Sequence, residues 1–249
     1  MTCPKCGLEQ SEASRECPRC GIVFQKYLDR VRTLTVCENP ETKLQQQKIF
    51  GQATIWSRLK DLLLPVESQV NPFFFGGRAI VYIALVIWGM IFISKSLETN
   101  YTGRSFMHLI NLPFHEAGHI IFSPFGRFMT VLGGTLMQLL IPLLCLGTFL
   151  AKQNPFAASV GMWWFGQSFM DIAPYINDAR AGRLVLLGGV TGSEAPDFHD
   201  WHVILSSLGL LNQDHLIAHI SSAVGILSLI AAFIWGGYIL FRQFRNLDL

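Results

Sequence analysis

Two groups of residues in this sequence have the types and spacing of metal sites. The first is His115-Glu116-Ala117-Gly118-His119. Histidines four apart share one face of a helix, so both imidazoles can reach one Zn²⁺. Glu116 then stands beside the metal, where it can take a proton from the bound water. Ala117 and Gly118 are small and let a neighbouring helix approach closely. Pro113 is expected to open the helix just before the motif, because broken helices in membranes line cavities. The second group is a pair of matched knuckles, Cys3-Pro4-Lys5-Cys6-Gly7 and Cys17-Pro18-Arg19-Cys20-Gly21. Each sets two thiolates at one end of a tight turn. The glycine that follows permits the backbone conformation that aims amides at the sulfurs. Four thiolates form the closed tetrahedral set of a structural zinc, with no open position for catalysis. Cys37 and Cys145 are left over, and Cys145 reads as a small core residue in an apolar run.

A hydrolytic zinc site needs a third protein ligand and one open position. Asp171, Asp178 and the cluster Asp197, His199, Asp200 and His202 are the candidates. Asp171 and Asp178 are seven apart, about two helical turns, at the end of an apolar run. A short helix from about Trp201 to Leu211 is expected, with Asp200 as its N-cap. His108 lies on the motif's own helix and reads as a cavity-lining or interhelical hydrogen-bonding residue. His215 and His219 are also four apart but lack an adjacent Glu, and read as an interfacial pair.

Residues 106–182 resemble the site-2 protease family of intramembrane zinc metalloproteases. In that family the His-Glu helix is followed by a helix with a Gly-Pro-x-x-Asn-like motif. A third helix carries an Asn-x-x-Pro…Asp-Gly motif. Gly134-Thr135-Leu136-Met137-Gln138 is similar to the second motif, with Thr for Pro and Gln for Asn. Asp171-Ile172-Ala173-Pro174…Asp178-Ala179 is similar to the third, with Asp for Asn, Ala for Gly and the second Asp one residue early. The resemblance implies that Asp178 is the third zinc ligand. It also implies that Gln138 donates to the substrate carbonyl or oxyanion, a role amide side chains fill. Apart from the resemblance, Gln138 reads equally as an interhelical hydrogen-bonding residue. Asp171 is a rival ligand or a hydrogen-bond partner of a ligating histidine. The cysteine knuckles resemble a minimal zinc ribbon over residues 1–25.

These groups need elements to carry them. The chain has 249 residues, of which 51% are hydrophobic and 14% charged. Soluble domains carry about 25% charged residues, so the shortfall points to a membrane protein. A net charge of +2 with no long basic run excludes a nucleic-acid partner. The fold class expected is an all-α integral membrane protein with a small N-terminal zinc ribbon. It should have about five spans of roughly 20 apolar residues each. The spans are about Phe73–Ile93, Phe106–Phe122, Thr130–Leu150, Pro155–Ile176 and Leu216–Phe241. The domains expected are a ribbon over residues 1–30, a linker over 31–72 and a transmembrane metalloprotease-like domain over 73–249. Residues 55–64 have the pattern of a short amphipathic helix, either at the membrane surface or packed on the protein. Lys43, Lys48, Arg58, Lys60 and Arg78 precede the first span and place the N-terminus in the cytoplasm. Arg242 and Arg245 run against that rule.

The function expected is intramembrane zinc-dependent proteolysis. Glu116 activates the zinc-bound water, and the partners are membrane lipid and a membrane-associated protein or peptide substrate. Two zinc ions are expected, one catalytic and one structural. A non-proteolytic zinc-binding membrane protein with a docking ribbon, and a zinc-dependent lipid hydrolase, stand as alternatives.

Overall fold

The computed structural model describes residues 2–9, 15–27, 55–65 and 70–247. Most of the expected linker, with Cys37, Lys43 and Lys48, lies outside them. The chain separates into two compact units, Met1–Leu59 and Lys60–Leu249. Among the described residues it is helical. Among those residues the only extended pairings are isolated bridges, such as Thr2 with Glu9 and Glu16 with Val23.

The α-helices among the described residues are α1 (Ile55–Leu63), α2 (Pro72–Ser94), α3 (Phe106–Phe122), α4 (Arg127–Ala151), α5 (Pro155–Asn177), α6 (Asp200–Ser207) and α7 (Asp214–Arg245). Their starts follow capping chemistry. Asn71 Oδ1 accepts from Phe73 N ahead of Pro72, and Asn154 Oδ1 accepts from Ala157 N ahead of Pro155. Such caps satisfy N–H groups that the helix itself cannot. α3 runs unbroken through Pro113, so the expected opening before the motif does not occur.

Among the described residues three helical segments, Pro72–Ser94, Arg127–Ala151 and Leu211–Arg245, are long and apolar enough to cross a membrane. The other two expected spans form helices at nearly the expected bounds but differ in character. α3 has 17 residues and carries His108, Asn111, His115, Glu116 and His119. α5 has 23 residues, but Gln167, Ser168 and Asp171 are buried within it. Polar side chains of that kind are enclosed by neighbours in a bundle, not turned to lipid.

α5 is the central helix. It packs along α7, α4 and α2, while α3 packs on α4. Phe92, Met107, Trp163, Met170, Leu229 and Ala232 form the main apolar core between α2, α3, α5 and α7. On the outer side of α2, Ile80, Ile83, Ile87 and Met90 are more than half exposed. An apolar face of that extent marks a lipid or partner surface.

Candidate functional site

The two cysteine knuckles repeat one construction. Cys3 N donates to Leu8 O and Gly7 N to Cys3 O; Cys17 N donates to Ile22 O and Gly21 N to Cys17 O. Gly7 and Gly21 have φ of 72° and 68°, a region that glycine enters without a Cβ penalty. Cys3 Sγ lies 3.7 Å from Cys20 Sγ, and Cys6 Sγ lies 3.6 Å from Cys17 Sγ. All four sulfurs lie within 4.8 Å of one another. Metal–sulfur bonds of about 2.3 Å in a tetrahedron give sulfur–sulfur edges of about 3.8 Å. The two shorter separations match that edge, and the four thiols could hold a tetrahedral metal ion.

The second group lies between α3 and α4. Gly118 and Gly133 let the two backbones touch: a Cβ on Gly133 would stand 2.6 Å from Gly118 O, and one on Gly118 would collide with Gly133 O. That approach brings Gly134 under the motif, where a Cβ would stand 2.6 Å from both His115 Nε2 and His119 Nε2. Ligand atoms of His115, Glu116 and His119 lie within 4.8 Å of one another, as a metal site requires.

The remaining ring nitrogens are committed. Gln138 Nε2 donates to Asp171 Oδ2 at 2.9 Å. This turns Gln138 Oε1 to His115 Nδ1, at 3.2 Å. An amide oxygen only accepts, so His115 Nδ1 carries the proton. His119 Nδ1 likewise faces Thr130 O at 2.8 Å and must donate to it. With Nδ1 the donor in each ring, Nε2 is the nitrogen left to meet a metal ion or a proton. Hydrogen bonds of this kind fix the tautomer and raise the basicity of a ligating histidine.

Asp171 is the hub behind the site. Besides Gln138, its carboxylate accepts from Asn111 Nδ2 at 3.0 Å and faces His108 Nδ1 at 3.1 Å. Asn111 also donates to Gln167 and accepts from Trp164 Nε1. Asp171 is thus placed as a partner of a partner of His115, not beside the Nε2 atoms. Gln138, expected to face substrate, is buried with its amide engaged at both ends. Asn111 was missed in the sequence reading, although it shares the stripe of His108, His115 and His119 at helical spacing.

Asp178, the ligand implied by the resemblance, is placed elsewhere. Its Oδ1 accepts from Arg183 N at 2.9 Å and its Oδ2 from Leu184 N at 2.8 Å. It also faces His199 Nε2 at 3.7 Å. Burial opposes its ionisation, but His199 and the two N–H groups outweigh it and hold its pKa below the ordinary carboxylate range. The carboxylate that does meet the histidines is Asp200. Its Oδ2 lies 2.9 Å from His115 Nε2 and 3.4 Å from His119 Nε2. The N-cap of α6 is His199, one residue before the expected Asp200, and its Nδ1 accepts from His202 N. Asp200 therefore starts the helix with its carboxylate free to turn inward. Asp197 lines the same cavity at an exposed position, paired with Arg127 at 2.8 Å. His202 Nδ1 faces Ala179 O.

Glu116, both histidines, Gln138 and Asp200 line a cavity of about 920 Å³. Its far wall is the segment Arg183–Gly189, with Ile172 and Phe198 beside it. Two Nε2 lone pairs and a carboxylate oxygen meeting at one point repel one another unless a proton or a cation lies between them. Two imidazoles with carboxylates suit a divalent first-row metal, zinc among them. The residues present therefore fit the group that the motif implies. No family model matches this chain, and no curated protein or solved structure is found similar to it.

Proposed function

We propose that this chain is an integral-membrane zinc metalloprotease of the site-2-protease type, cleaving peptide bonds of membrane-associated proteins. One observation carries the reading. The two motif histidines have both Nδ1 atoms bonded away and both Nε2 atoms turned to a carboxylate-bearing cavity. A chance His-Glu-x-x-His match has no reason to fix both tautomers.

His115 and His119 would hold the ion through Nε2. Bound there, zinc supplies Lewis acidity and brings the pKa of a coordinated water to about 7. The rest of the chemistry belongs to the chain. Glu116, next to His115 and open to the cavity, takes a proton from the attacking water and passes it to the nitrogen of the scissile amide. The water oxygen bonds to the carbonyl carbon, the C–N bond breaks and the amine leaves protonated. Leu184, Val185, Leu186, Leu187 and Phe198 give the cavity an apolar wall, which suits an extended apolar segment of substrate. The four thiols hold a second, structural zinc as a minimal ribbon.

In this reading α3 and α5 enter the membrane among the three more apolar helices. The N-terminus and the motif end of α3 face the cytoplasm. The basic residues ahead of Phe73 support that orientation.

The test compares cells expressing wild type and Glu116→Gln at equal levels. New protein N-termini in the membrane fraction, read by mass spectrometry, should fall by about 10²–10⁴-fold in the variant, while metal content is kept. Equal N-termini in both would leave a metal-binding membrane protein and no protease.

A further inference from the structure

We infer that Asp200 is the third ligand of the metal held by His115 and His119, and that Asp178, His199 and Tyr175 position it there. The inference rests on the metal-site reading above and departs from the ligand that the family resemblance implies.

The distances are those of a hydrogen bond to His115 and a longer contact to His119, and a few tenths of an ångström separate them from the edges of a shared metal site. Metal–nitrogen and metal–oxygen bonds of about 2.0–2.1 Å in a tetrahedron give ligand–ligand edges of about 3.3 Å. Asp200 Oδ2 stands 2.9 Å and 3.4 Å from the two Nε2 atoms, so one oxygen addresses both imidazoles. Glu116 also lies within reach of the histidines and is kept as the base, while the other carboxylates nearby are committed. Both oxygens of Asp178 accept backbone N–H groups, Asp171 is bound by Gln138 and Asn111, and Asp197 is paired with Arg127.

Asp200 is also held from behind by contacts that do not involve the histidine pair. Its backbone N donates to Tyr175 Oη at 3.0 Å. The Tyr175 ring packs against His199 at a tilt of 30°, centroid to centroid 4.2 Å. His199 is fully buried and caps α6 through Nδ1, which leaves Nε2 to face Asp178. His202 Nδ1 closes the clamp on Ala179 O at 2.8 Å. The end of α5 thus grips the start of α6 and delivers the carboxylate across the cavity mouth. Three protein ligands leave the fourth position open, the arrangement of a catalytic rather than a structural zinc.

The segment between Asp178 and Asp200 also forms the cavity wall. Metal occupancy should therefore tie that wall down.

The experiment is metal binding by the full-length protein in detergent. Zinc is read by elemental analysis and chelator competition. Cobalt is read by its spectrum, because thiolate-to-cobalt bands report the cysteine site separately. Asp200→Asn keeps the size of the side chain and the helix start, and should weaken the second equivalent by more than roughly 100-fold. That exceeds the effect of losing a mere hydrogen-bond partner. Asp178→Asn should weaken it by no more than about 10–100-fold. Amide exchange over residues 183–200 should slow on zinc addition in wild type and stay unchanged in Asp200→Asn. Native affinity in Asp200→Asn, or abolished binding in Asp178→Asn alone, would overturn the assignment while leaving the histidine site standing. If wild type binds only the thiolate equivalent, the assignment and the reading beneath it fall together.

Discussion

The four thiols lie between Cys3 and Cys20, within one short stretch of chain. The His115 group instead gathers Gln138 from α4, Asp171 from α5 and Asp200 from α6, the last 85 residues away. The first group is shaped by backbone turns that two knuckles repeat. The second exists only where four helices meet. A local site of like ligands owes little to the rest of the fold and should fail alone. An assembled site should respond to distant changes in packing and hydrogen bonding.

The sharpest way to break this contrast is Cys17→Ser. A closed four-thiolate set loses its geometry with one ligand, and structural zinc binding is worth roughly 10–16 kcal/mol. The variant should drop from two equivalents of zinc to one by elemental analysis. The cobalt spectrum of the remaining site should be unchanged. Loss of both equivalents would mean that the cavity site depends on the N-terminal unit.

Smaller in effect, and aimed at the assembled site, is Gly134→Ala. The added Cβ would stand 2.6 Å from both Nε2 atoms, so both imidazoles must shift to make room. Overpacking of this kind costs roughly 1–3 kcal/mol, and here it falls on the ligands themselves. Second-site zinc affinity should drop accordingly, with the thiolate site untouched. Gly147→Ala in the same helix, with nothing within 4 Å of its new Cβ, is the control and should bind both metals as wild type does. Equal behaviour of the two variants would remove Gly134 from the site.

The same contrast explains what was legible in the sequence. Helix positions followed from runs of apolar residues. The Phe106–Phe122 segment matches α3 end to end, and Pro155–Ile176 falls one residue short of α5. Which of them are membrane-length was less legible, because α5 spends its polar residues inward, on partners that only the bundle reveals. The cysteine knuckles and the His-Glu-x-x-His spacing could be read directly, since both are local. Asp200 could not. It reaches the histidines across the irregular segment 178–199, and an Asp before an apolar run has the ordinary signature of a helix cap. His199 takes that cap instead. Asp178 had the better sequence credentials, yet its position at the C-terminal end of α5 gives it the loop amides of Arg183 and Leu184.

The least disruptive probe is Gln138→Met, which separates two roles for one amide. If Gln138 were a donor to the developing oxyanion, its loss would cost about 10²–10³-fold in turnover and leave zinc affinity alone. In the structure its Nε2 is spent on Asp171 and its Oε1 on His115 Nδ1. Methionine fills similar space but accepts only weakly from Nδ1 and cannot donate to Asp171. His115 is then free to carry its proton on Nε2, the atom needed for the metal. Second-site zinc affinity should therefore fall about 10–100-fold, the range for removing a hydrogen-bond partner of a ligating histidine. Asp171→Asn should weaken it in the same direction. An amide there can offer either an oxygen or an NH₂ group to Gln138, so the orientation of Gln138 is no longer compelled. Chelator competition on both variants reads the effect without any substrate. Unchanged zinc affinity in Gln138→Met would return Gln138 to the substrate side of the cavity and break the link from Asp171 through Gln138 to His115.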